Sequence, residues 1–217
     1  MNYTTVLWDL DGTILDSAPG VFASFVHTFE TLGLPVPPVE QMRTFLGPPL
    51  EVTFGETLGY DAEVAAKCLA TYREIYLNGG QAVNATVFDG VLDVIAASKA
   101  AGLPNSLATS KGISGVKMVG EHFDFLDLFD VLGAADLEKG RSTKSAVVEY
   151  ALAELAAQGA DLSRTVLIGD RIHDIEGARE HGIEVILVKW GYGDESEWAQ
   201  ADAVAETADE LRELLGL

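Results

Sequence analysis

Cysteine is almost absent from this sequence of 217 residues, in which Cys68 stands alone. A single cysteine excludes an intramolecular disulfide and is typical of proteins that fold in a reducing cytosol. Basic residues are also few, because 14 Lys and Arg stand against 34 Asp and Glu, for a formal net charge of −20. Nucleic-acid polymers and anionic membrane surfaces are bound by basic surfaces, so we expect neither as a partner.

Long apolar runs are missing as well. No stretch approaches the roughly 20 apolar residues that a membrane-spanning helix needs. Asp9 and Asp11 interrupt the first apolar run, which excludes the apolar core of a signal peptide there. We therefore expect a cytoplasmic protein that is a monomer or a homodimer, and the sequence does not choose between these two states.

The chain nevertheless has ample material for a core, since 48% of its residues are hydrophobic. Residues 17–82 carry helical periodicity without a convincing strand, as in "SAPGVFASFVHTFETLGL". From about residue 88, apolar strands such as "TVLIGD" alternate with helices, which is typical of a doubly wound parallel sheet. The sequence thus predicts an α/β, Rossmann-like core domain over 1–16 and 83–217, with an all-helical cap domain inserted over 17–82.

Two acidic residues crowd the end of the first predicted strand, in "VLWDLDGT". Asp9 follows three apolar residues directly, and Asp11 comes two residues later. Two carboxylates beside a buried strand repel each other, and partial burial strengthens the repulsion. This arrangement predicts that a cation or another positive group compensates the two charges.

Further polar side chains follow other predicted strands. Thr109, Ser110 and Lys111 end "NSLATS", Asp170 ends "TVLIGD", and Asp174 follows four residues later. In a parallel α/β sheet, ligands bind beyond the carboxyl ends of the strands, so we expect these groups to converge on one crevice. The acids gathered there would repel strongly without a divalent cation, and Mg²⁺ prefers such oxygen ligands.

Each of these residues also has a plainer interpretation. Asp174 could serve only as the N-cap of the next helix, and Thr109 could be an ordinary strand-end hydroxyl. For Lys111 we favour a solvated neighbour over a ligand. Lys144 opens the predicted helix 143–157, where the helix dipole disfavours a cation, so it either holds an anion or extends into solvent.

Four motifs, taken in order, resemble those of the haloacid dehalogenase-like hydrolases, in the phosphatase branch with a helical cap. "DLDGT" matches the first motif, Thr109 in "ATSK" the second, Lys144 the third and "GDRIHD" the fourth. The segments "FLGPPL" and "GDRIHDIEGAREHGIEVILVKWGYGDESEW" look most similar to phosphoglycolate phosphatase-like and related nucleotidase members. Trp8 departs from the usual Phe, and "EKGRSTKS" lacks the Lys-Pro of the third motif, which leaves Lys139 and Arg141 as alternatives to Lys144.

The resemblance implies a mechanism. Asp9 would be the nucleophile that forms an aspartyl-phosphate, and Asp11 would act as general acid and then as general base. Dehalogenase members lack this second acid, so its presence implies phosphoryl transfer. The resemblance also implies that Mg²⁺ is bound by Asp9, Asp170, Asp174 and the main-chain carbonyl of Asp11. Thr109 and Lys144 would contact the phosphoryl group. The residues expected around the substrate are Gly12, Thr13 and Ser110.

The substrate implied is a small phosphorylated metabolite, with phosphoglycolate favoured and a nucleoside monophosphate as the runner-up. Arg43 is the cap residue best suited to a substrate carboxylate, although for both Arg43 and Arg73 we favour a side chain that is solvated or paired with a neighbouring Glu. Phe45, Phe54 and Tyr72 are expected in the core of the cap rather than as a base-stacking platform. Two other functions stay open: a mutase-type phosphotransferase that excludes water, and a non-catalytic phosphate-binding regulatory protein.

Overall fold

The computed structural model describes residues 2–217. The chain divides into two compact units, one formed by the chain up to Asp16 together with Val87–Leu217, and the other by Ser17–Thr86. The second boundary therefore falls after Thr86, whereas the sequence suggested residue 82. The 3₁₀ turn Gln81–Val83 explains the difference, because a Cβ on Gly20 would lie only 2.1 Å from the carbonyl oxygen of Gln81, so this turn packs within the helical unit.

Parallel strands form the centre of the α/β unit. Its main sheet has six strands in the order β5-β4-β1-β6-β7-β8, with every described pairing parallel, and β2 and β3 form a separate two-stranded sheet. Counted along the chain, this is the doubly wound order 3-2-1-4-5-6, which confirms the predicted fold class. The strands are β1 (Thr5–Trp8), β2 (Leu15–Asp16), β3 (Thr86–Val87), β4 (Asn105–Gly112), β5 (Val131–Ala135), β6 (Thr165–Gly169), β7 (Glu184–Val188) and β8 (Ala203–Ala205).

The strand order reverses between β1 and β6, and their carboxyl ends are the place where such a sheet binds ligands. Both strands are buried along their whole length, as apolar runs in a parallel sheet should be. Leu7 and Leu167 from these strands share one core cluster with Val147 and Ile175 from the helices described next. This packing holds the two strand ends in fixed register.

Helices flank the main sheet and make up nearly all of the second unit. In the α/β unit, α7 and α8 contact each other, α7 packs on β4 and β5, and α8 packs on β6 and β7. The helices are α1 (Ala18–Leu32), α2 (Val39–Arg43), α3 (Leu50–Val52), α4 (Ala62–Asn78), α5 (Val91–Ala100), α6 (Ile113–His122), α7 (Lys144–Ala157), α8 (Ile172–Arg179), α9 (Glu195–Trp198) and α10 (Ala208–Leu215). Within residues 2–217, none of them combines the length and the apolar character that crossing a membrane requires.

The helical unit has an aromatic core. The ring of Phe25 lies 4.9 Å from that of Phe45, 5.5 Å from that of Phe54 and 4.8 Å from that of Tyr72, measured between centroids. All four side chains are buried. The prediction that these aromatic residues form the core of the cap, and not a stacking platform, is confirmed for Phe45, Phe54 and Tyr72.

Candidate active site

Asp9 lies directly beyond β1 and is held there by the sheet. Its backbone N–H donates to the carbonyl oxygen of Ile168 over 2.8 Å, so the pairing of β1 with β6 continues up to this residue. The neighbouring Trp8 is fully buried, and its indole N–H donates to Oδ1 of Asn105 over 2.9 Å. Trp8 therefore satisfies its polar atom inside the core and anchors the strand that carries Asp9.

The second pair of acids lies beyond β6. Asp170 is completely buried, and Asp174 lies in the first turn of α8 rather than at its N-cap, which is Arg171. Oδ2 of Asp174 accepts the backbone N–H groups of Asp170 and Arg171, each over 3.0 Å. These hydrogen bonds fix the turn between β6 and α8. The other carboxylate oxygen of Asp174, Oδ1, contacts Lys144.

Lys144 is the first residue of α7. Its Nζ lies 2.8 Å from Oδ1 of Asp9 and 2.6 Å from Oδ1 of Asp174, and it donates to the carbonyl oxygen of Ala108 over 2.8 Å. The side chain is only 7% exposed, so its alternative interpretation as a solvated lysine is wrong. An anion-holding lysine at a helix start overcomes the unfavourable dipole through these contacts.

The two alternatives to Lys144 in the third motif lie elsewhere. Lys139 is 70% exposed and pairs with Asp136, and Arg141 pairs with the same carboxylate over 3.2 Å. Arg141 also stacks over the ring of Tyr150 at 4.0 Å. Both residues therefore stabilise the loop before α7, and Lys144 is the third-motif residue that meets the acids.

Burial sets the electrostatics of these groups. Desolvation raises the pKa of Asp9 to about 6, with Lys144 opposing the rise and Asp174 adding to it. Desolvation also raises the pKa of Asp170 well above its usual value, and the charges of Asp174 and Asp9 raise it further. Burial alone would lower the pKa of Lys144, but attraction to Asp174 and Asp9 outweighs burial and the net direction is upward. One ammonium group thus contacts two of the three clustered carboxyls, those of Asp9 and Asp174, which leaves the cluster with a deficit of positive charge.

The same carboxyls fit a metal ion. Asp9, Asp170 and Asp174 each offer an oxygen, and these oxygens all lie within 4.8 Å of one another. Oδ1 of Asp170 is buried and accepts no hydrogen bond within the described part of the chain. An orphaned carboxylate oxygen inside a cluster of acids is costly in a dry interior and is satisfied when it ligates a cation.

Asp11 lies two residues beyond Asp9 and contacts a different lysine. Its Oδ2 lies 2.8 Å from Nζ of Lys111, whose side chain is 7% exposed. The prediction that Lys111 is a solvated neighbour is therefore wrong, because the end of β4 turns this residue inward against an acid. Oδ1 of Asp11 has no hydrogen-bond partner in the part of the chain that the structure describes.

Glycines allow the loops to approach one another closely at this site. Gly12 has a φ of +85°, and a Cβ there would lie 2.1 Å from Oδ2 of Asp170. Gly191 is also close, because a Cβ there would lie 2.4 Å from both Cβ of Asp170 and the carbonyl oxygen of Gly12. Any side chain at Gly12 or Gly191 would therefore displace the buried acid.

The loop after β7 contributes contacts that sequence reasoning missed. The backbone N–H of Tyr192 donates to Oδ2 of Asp170 over 2.7 Å, and the indole N–H of Trp190 donates to the carbonyl oxygen of Thr13 over 3.0 Å. The segment "KWGYGDE" was visible as part of the family resemblance. A backbone donor has no residue signature, however, so the sequence pattern did not reveal this contact.

The residues expected around the substrate lie in the same region of the α/β unit. Thr109 is 1% exposed, and its hydroxyl oxygen accepts the backbone N–H of Lys111 over 3.2 Å. Ser110 follows it and is partly buried. The backbone N–H groups of Gly12 and Thr13 donate within their own loop, to Leu15 and Leu10 respectively. The hydroxyl of Thr13 is buried and has no partner within residues 2–217.

The helical unit carries the remaining predicted residue, Arg43, at the end of α2. Arg43 is exposed. The other two cations of this unit are engaged, since Arg73 pairs with Glu51 over 2.9 Å and Lys67 pairs with Glu63 over 2.8 Å. For Arg73 the interpretation as a paired surface residue is confirmed, and the exposed Arg43 agrees with its interpretation as a solvated residue. A contact of Arg43 with substrate stays a prediction.

Known proteins share this sequence pattern over nearly the whole chain. The tyrosine-protein kinase PtkA of Mycobacterium tuberculosis is 37% identical over 216 residues, which cover 98% of this chain and 72% of the relative. A 5'-nucleotidase of Pseudomonas aeruginosa is 32% identical over 197 residues, covering 91% of this chain and 87% of the relative. The crystal structure of a predicted phosphatase from Clostridium acetobutylicum superimposes with a TM-score of 0.89 at 30% identity, and all of both chains is covered.

The family model described as haloacid dehalogenase-like hydrolase matches residues 6–188. This range includes all four motifs and the helical insertion between the first and the second. The chain therefore belongs to the haloacid dehalogenase-like hydrolase family.

Proposed function

We propose that this protein is a Mg²⁺-dependent phosphatase that hydrolyses a small phosphate monoester through an aspartyl-phosphate on Asp9. The observation that carries the proposal is the cluster of Asp9, Asp170 and Asp174 at the switch point of the sheet, in which Lys144 contacts Asp9 and Asp174. Buried acids beside one lysine make a poor structural core, because burying charged groups costs more free energy than burying hydrophobic side chains of similar volume. They make a good site for a cation and a phosphate dianion.

Asp9 would attack the phosphorus atom. At neutral pH its carboxyl group is mostly ionised even with a pKa of about 6, so no base is needed to activate it. A bond forms between Oδ of Asp9 and phosphorus while the bond from phosphorus to the ester oxygen breaks. Water then breaks the new bond and releases inorganic phosphate, which restores Asp9.

Lys144 and Thr109 would balance the charge of the phosphoryl group. Lys144 already lies 2.8 Å from the attacking carboxylate, so its ammonium is placed beside the charge that develops during transfer. The hydroxyl of Thr109 can still donate its proton to a phosphoryl oxygen. Mg²⁺ would be held by Asp9, Asp170, Asp174 and the main-chain carbonyl of Asp11, and when bound it would neutralise charge on the phosphoryl group.

Asp11 would move the proton that each half of the reaction requires. It donates a proton to the leaving alkoxide in the first half and takes one from the attacking water in the second. General acid–base catalysis of this kind contributes roughly 10²–10⁴-fold to the rate. A halide leaving group needs no proton, so a well-placed Asp11 favours a phosphatase over a dehalogenase.

For the substrate we propose phosphoglycolate first and a nucleoside monophosphate second. The cap segment "FLGPPL" supports the first, and the relative named a 5'-nucleotidase supports the second. Arg43 is the residue we assign to a substrate carboxylate. We place the enzyme in the cytoplasm, in keeping with its single free cysteine.

The test is phosphate release from about 30 phosphorylated metabolites, with Mg²⁺ and with EDTA. We expect Mg²⁺-dependent turnover that Asp9→Asn abolishes and that the exposed control Asp89→Asn retains. The best substrate then decides between phosphoglycolate and a nucleotide. A folded protein that releases phosphate from no compound would overturn the proposal and favour a mutase-type phosphotransferase or a non-catalytic phosphate-binding protein.

A second candidate is phosphotransfer to a tyrosine hydroxyl, which the similarity to a relative named a tyrosine-protein kinase favours. The aspartyl-phosphate would be the same, and a phenolic oxygen would replace water as the acceptor. The discriminating measurement supplies a tyrosine-containing peptide during turnover and compares phosphotyrosine formed with phosphate released. Transfer that exceeds release would identify a kinase, whereas release alone would identify a phosphatase.

A further inference from the structure

Two separate lysines serve the two acids of "DLDGT". Lys144 contacts Asp9, whereas Lys111 contacts Asp11 over 2.8 Å between Nζ and Oδ2. Both lysine side chains are 7% exposed, so Lys111 is as deeply buried as the lysine of the third motif. A buried ammonium group needs an anionic partner, because removing one member of such a pair leaves the other charge uncompensated in the interior.

An irregularity in β4 places Lys111 there. Thr109 pairs with Ala134 of β5, and Gly112 pairs with the next residue, Ala135. Between these two pairs β4 therefore contains two extra residues, Ser110 and Lys111, which form a bulge. Bulges often re-aim a side chain beside an active site, because the bulged residues leave the regular alternation of the strand.

The bulge is fixed by its own hydrogen bond. The backbone N–H of Lys111 donates to the hydroxyl oxygen of Thr109 over 3.2 Å. Lys111 is therefore held at its backbone by the second-motif residue and at its ammonium by Asp11. Because the lysine is held at both ends, it restricts the motion of the Asp11 carboxylate that it contacts.

We infer that Lys111 is a positioning residue that fixes the Asp11 carboxylate for proton transfer, and this inference rests on the proposed function. Nζ grips Oδ2, which sets the rotation of the carboxyl group, and Oδ1 is the oxygen that exchanges the proton. Oδ1 is buried and accepts no hydrogen bond from any described residue, so its hydrogen-bonding capacity is unfilled within the protein. Proton transfer requires a donor within hydrogen-bond reach of the leaving oxygen, and a loosely held carboxylate meets that requirement less often.

Leaving-group selectivity tests this role. An alkyl phosphate needs a proton on its leaving alkoxide, whereas p-nitrophenyl phosphate releases a stable phenolate that needs none. The value of kcat/KM reports the step in which this ester bond breaks, and later hydrolysis of the aspartyl-phosphate does not affect it. Loss of a positioned acid should therefore depress kcat/KM for the alkyl ester selectively.

The experiment measures kcat/KM with Mg²⁺ for p-nitrophenyl phosphate and for the best alkyl phosphate of the panel. We expect Lys111→Met to lower the alkyl value about 10- to 100-fold. The p-nitrophenyl value should fall about threefold or less. Lys111→Arg should restore most of the alkyl value, because it keeps a cation beside Asp11. Lys111→Gln provides a second neutral variant, and thermal unfolding verifies that each variant is folded.

Asp11→Asn and Lys117→Met are the reference variants. Asp11→Asn should show the same selectivity with a larger loss, roughly 10²–10⁴-fold on the alkyl ester. Lys117 is an exposed lysine on α6, so Lys117→Met should match the parent protein on both substrates. Equal losses on the two esters in Lys111→Met, beside a selective loss in Asp11→Asn, would overturn the role of Lys111 alone. A parent protein that hydrolyses neither ester would overturn the proposed function and this inference together.

Discussion

The ammonium group of Lys144 lies 2.6 Å from Oδ1 of Asp174, and this contact joins the start of α7 to the start of α8. The two helices also pack together in the core cluster beneath it. Close packing leaves no room for either group to retreat, because a Cβ on Gly177 of α8 would lie 2.5 Å from Cγ of Lys144. The ion pair therefore lies buried in the interface between α7 and α8.

Replacing Lys144 should therefore destabilise the metal-free protein. Lys144→Met leaves two buried carboxylates without their cation, and breaking a buried pair in this way costs about 3–5 kcal/mol. We expect the free energy of unfolding in urea with EDTA to fall by about that amount. Activity should be lost as well, because the ammonium beside Asp9 is gone.

The matched control is Lys139→Met. Lys139 is 70% exposed and pairs with Asp136 at the surface, where an ion pair contributes about 1 kcal/mol or less. Similar losses of stability in the two variants would show that Lys144 is not the buried partner of these acids.

Gly12 should be irreplaceable for a reason distinct from its backbone conformation. Gly12 and Gly159 both have a φ of +85°, but a Cβ on Gly12 would meet Asp170 at 2.1 Å, whereas a Cβ on Gly159 would have no neighbour within 4 Å. Gly159→Ala should therefore cost only the backbone strain, about 1–2 kcal/mol. Gly12→Ala bears the same strain and also displaces the buried acid, so kcat should fall at least about 100-fold.

Phosphate release and unfolding of the two glycine variants separate these effects. Stability should fall in both, and activity should fall only in Gly12→Ala. An active Gly12→Ala variant would mean that Asp170 can move without harm to the reaction.

The positions of two acids of the site could be predicted because each one directly follows a strand that the sequence marks clearly. Asp9 and Asp170 follow buried apolar runs, and parallel strands bring such ends to one edge of the sheet. The two-unit organisation could also be predicted, because helical periodicity in the inserted segment differs from the alternation around it. The local sequence pattern was sufficient to predict the position of a residue that directly follows its own strand.

The position of Lys111 could not be predicted in this way. A regular continuation of β4 gives no reason for Lys111 to reach Asp11, and the bulge that turns it inward depends on pairing with β5. The contact of Tyr192 with Asp170 was equally hidden, since a backbone N–H makes it. Both interactions arise from tertiary structure, which the periodicity of a single sequence does not predict.

Arg43 should determine how tightly a carboxylate-bearing substrate binds. Removing a hydrogen bond to a charged group costs about 1.5–3 kcal/mol, which corresponds to a rise in KM of about 10- to 100-fold. We expect Arg43→Met to raise KM for phosphoglycolate by that factor and to leave KM for p-nitrophenyl phosphate unchanged.

Arg73→Met is the control for that experiment, since Arg73 already pairs with Glu51 in the same unit. It should leave both KM values close to those of the parent protein. A KM for phosphoglycolate that is insensitive to Arg43→Met would remove Arg43 from the substrate site.

Magnesium binding should depend on pH in a direction that the buried acids set. The pKa of Asp9 is raised to about 6 in the folded protein, so the folded state binds a proton more tightly than the unfolded state does. The contribution of Asp9 to stability is therefore fully present below its unfolded pKa of about 4 and is lost as the pH rises through about 6. Asp170, whose pKa is also raised, acts in the same direction. Mg²⁺ needs these carboxylates ionised, so it should replace the lost stability only at the higher pH.

Thermal unfolding with Mg²⁺ and with EDTA, at about pH 5 and about pH 7.5, tests this dependence. A ligand at 100 times its Kd stabilises by about 2.7 kcal/mol, which raises the Tm of a chain of this size by about 5–10 °C. We expect that rise at the higher pH and less than about half of it at the lower. Asp170→Asn should abolish the rise at both, because it replaces a carboxylate that is wholly buried in the cluster. An equal Mg²⁺-induced rise at the two pH values would mean that the cation binds acids with ordinary pKa values, outside the cluster of Asp9, Asp170 and Asp174.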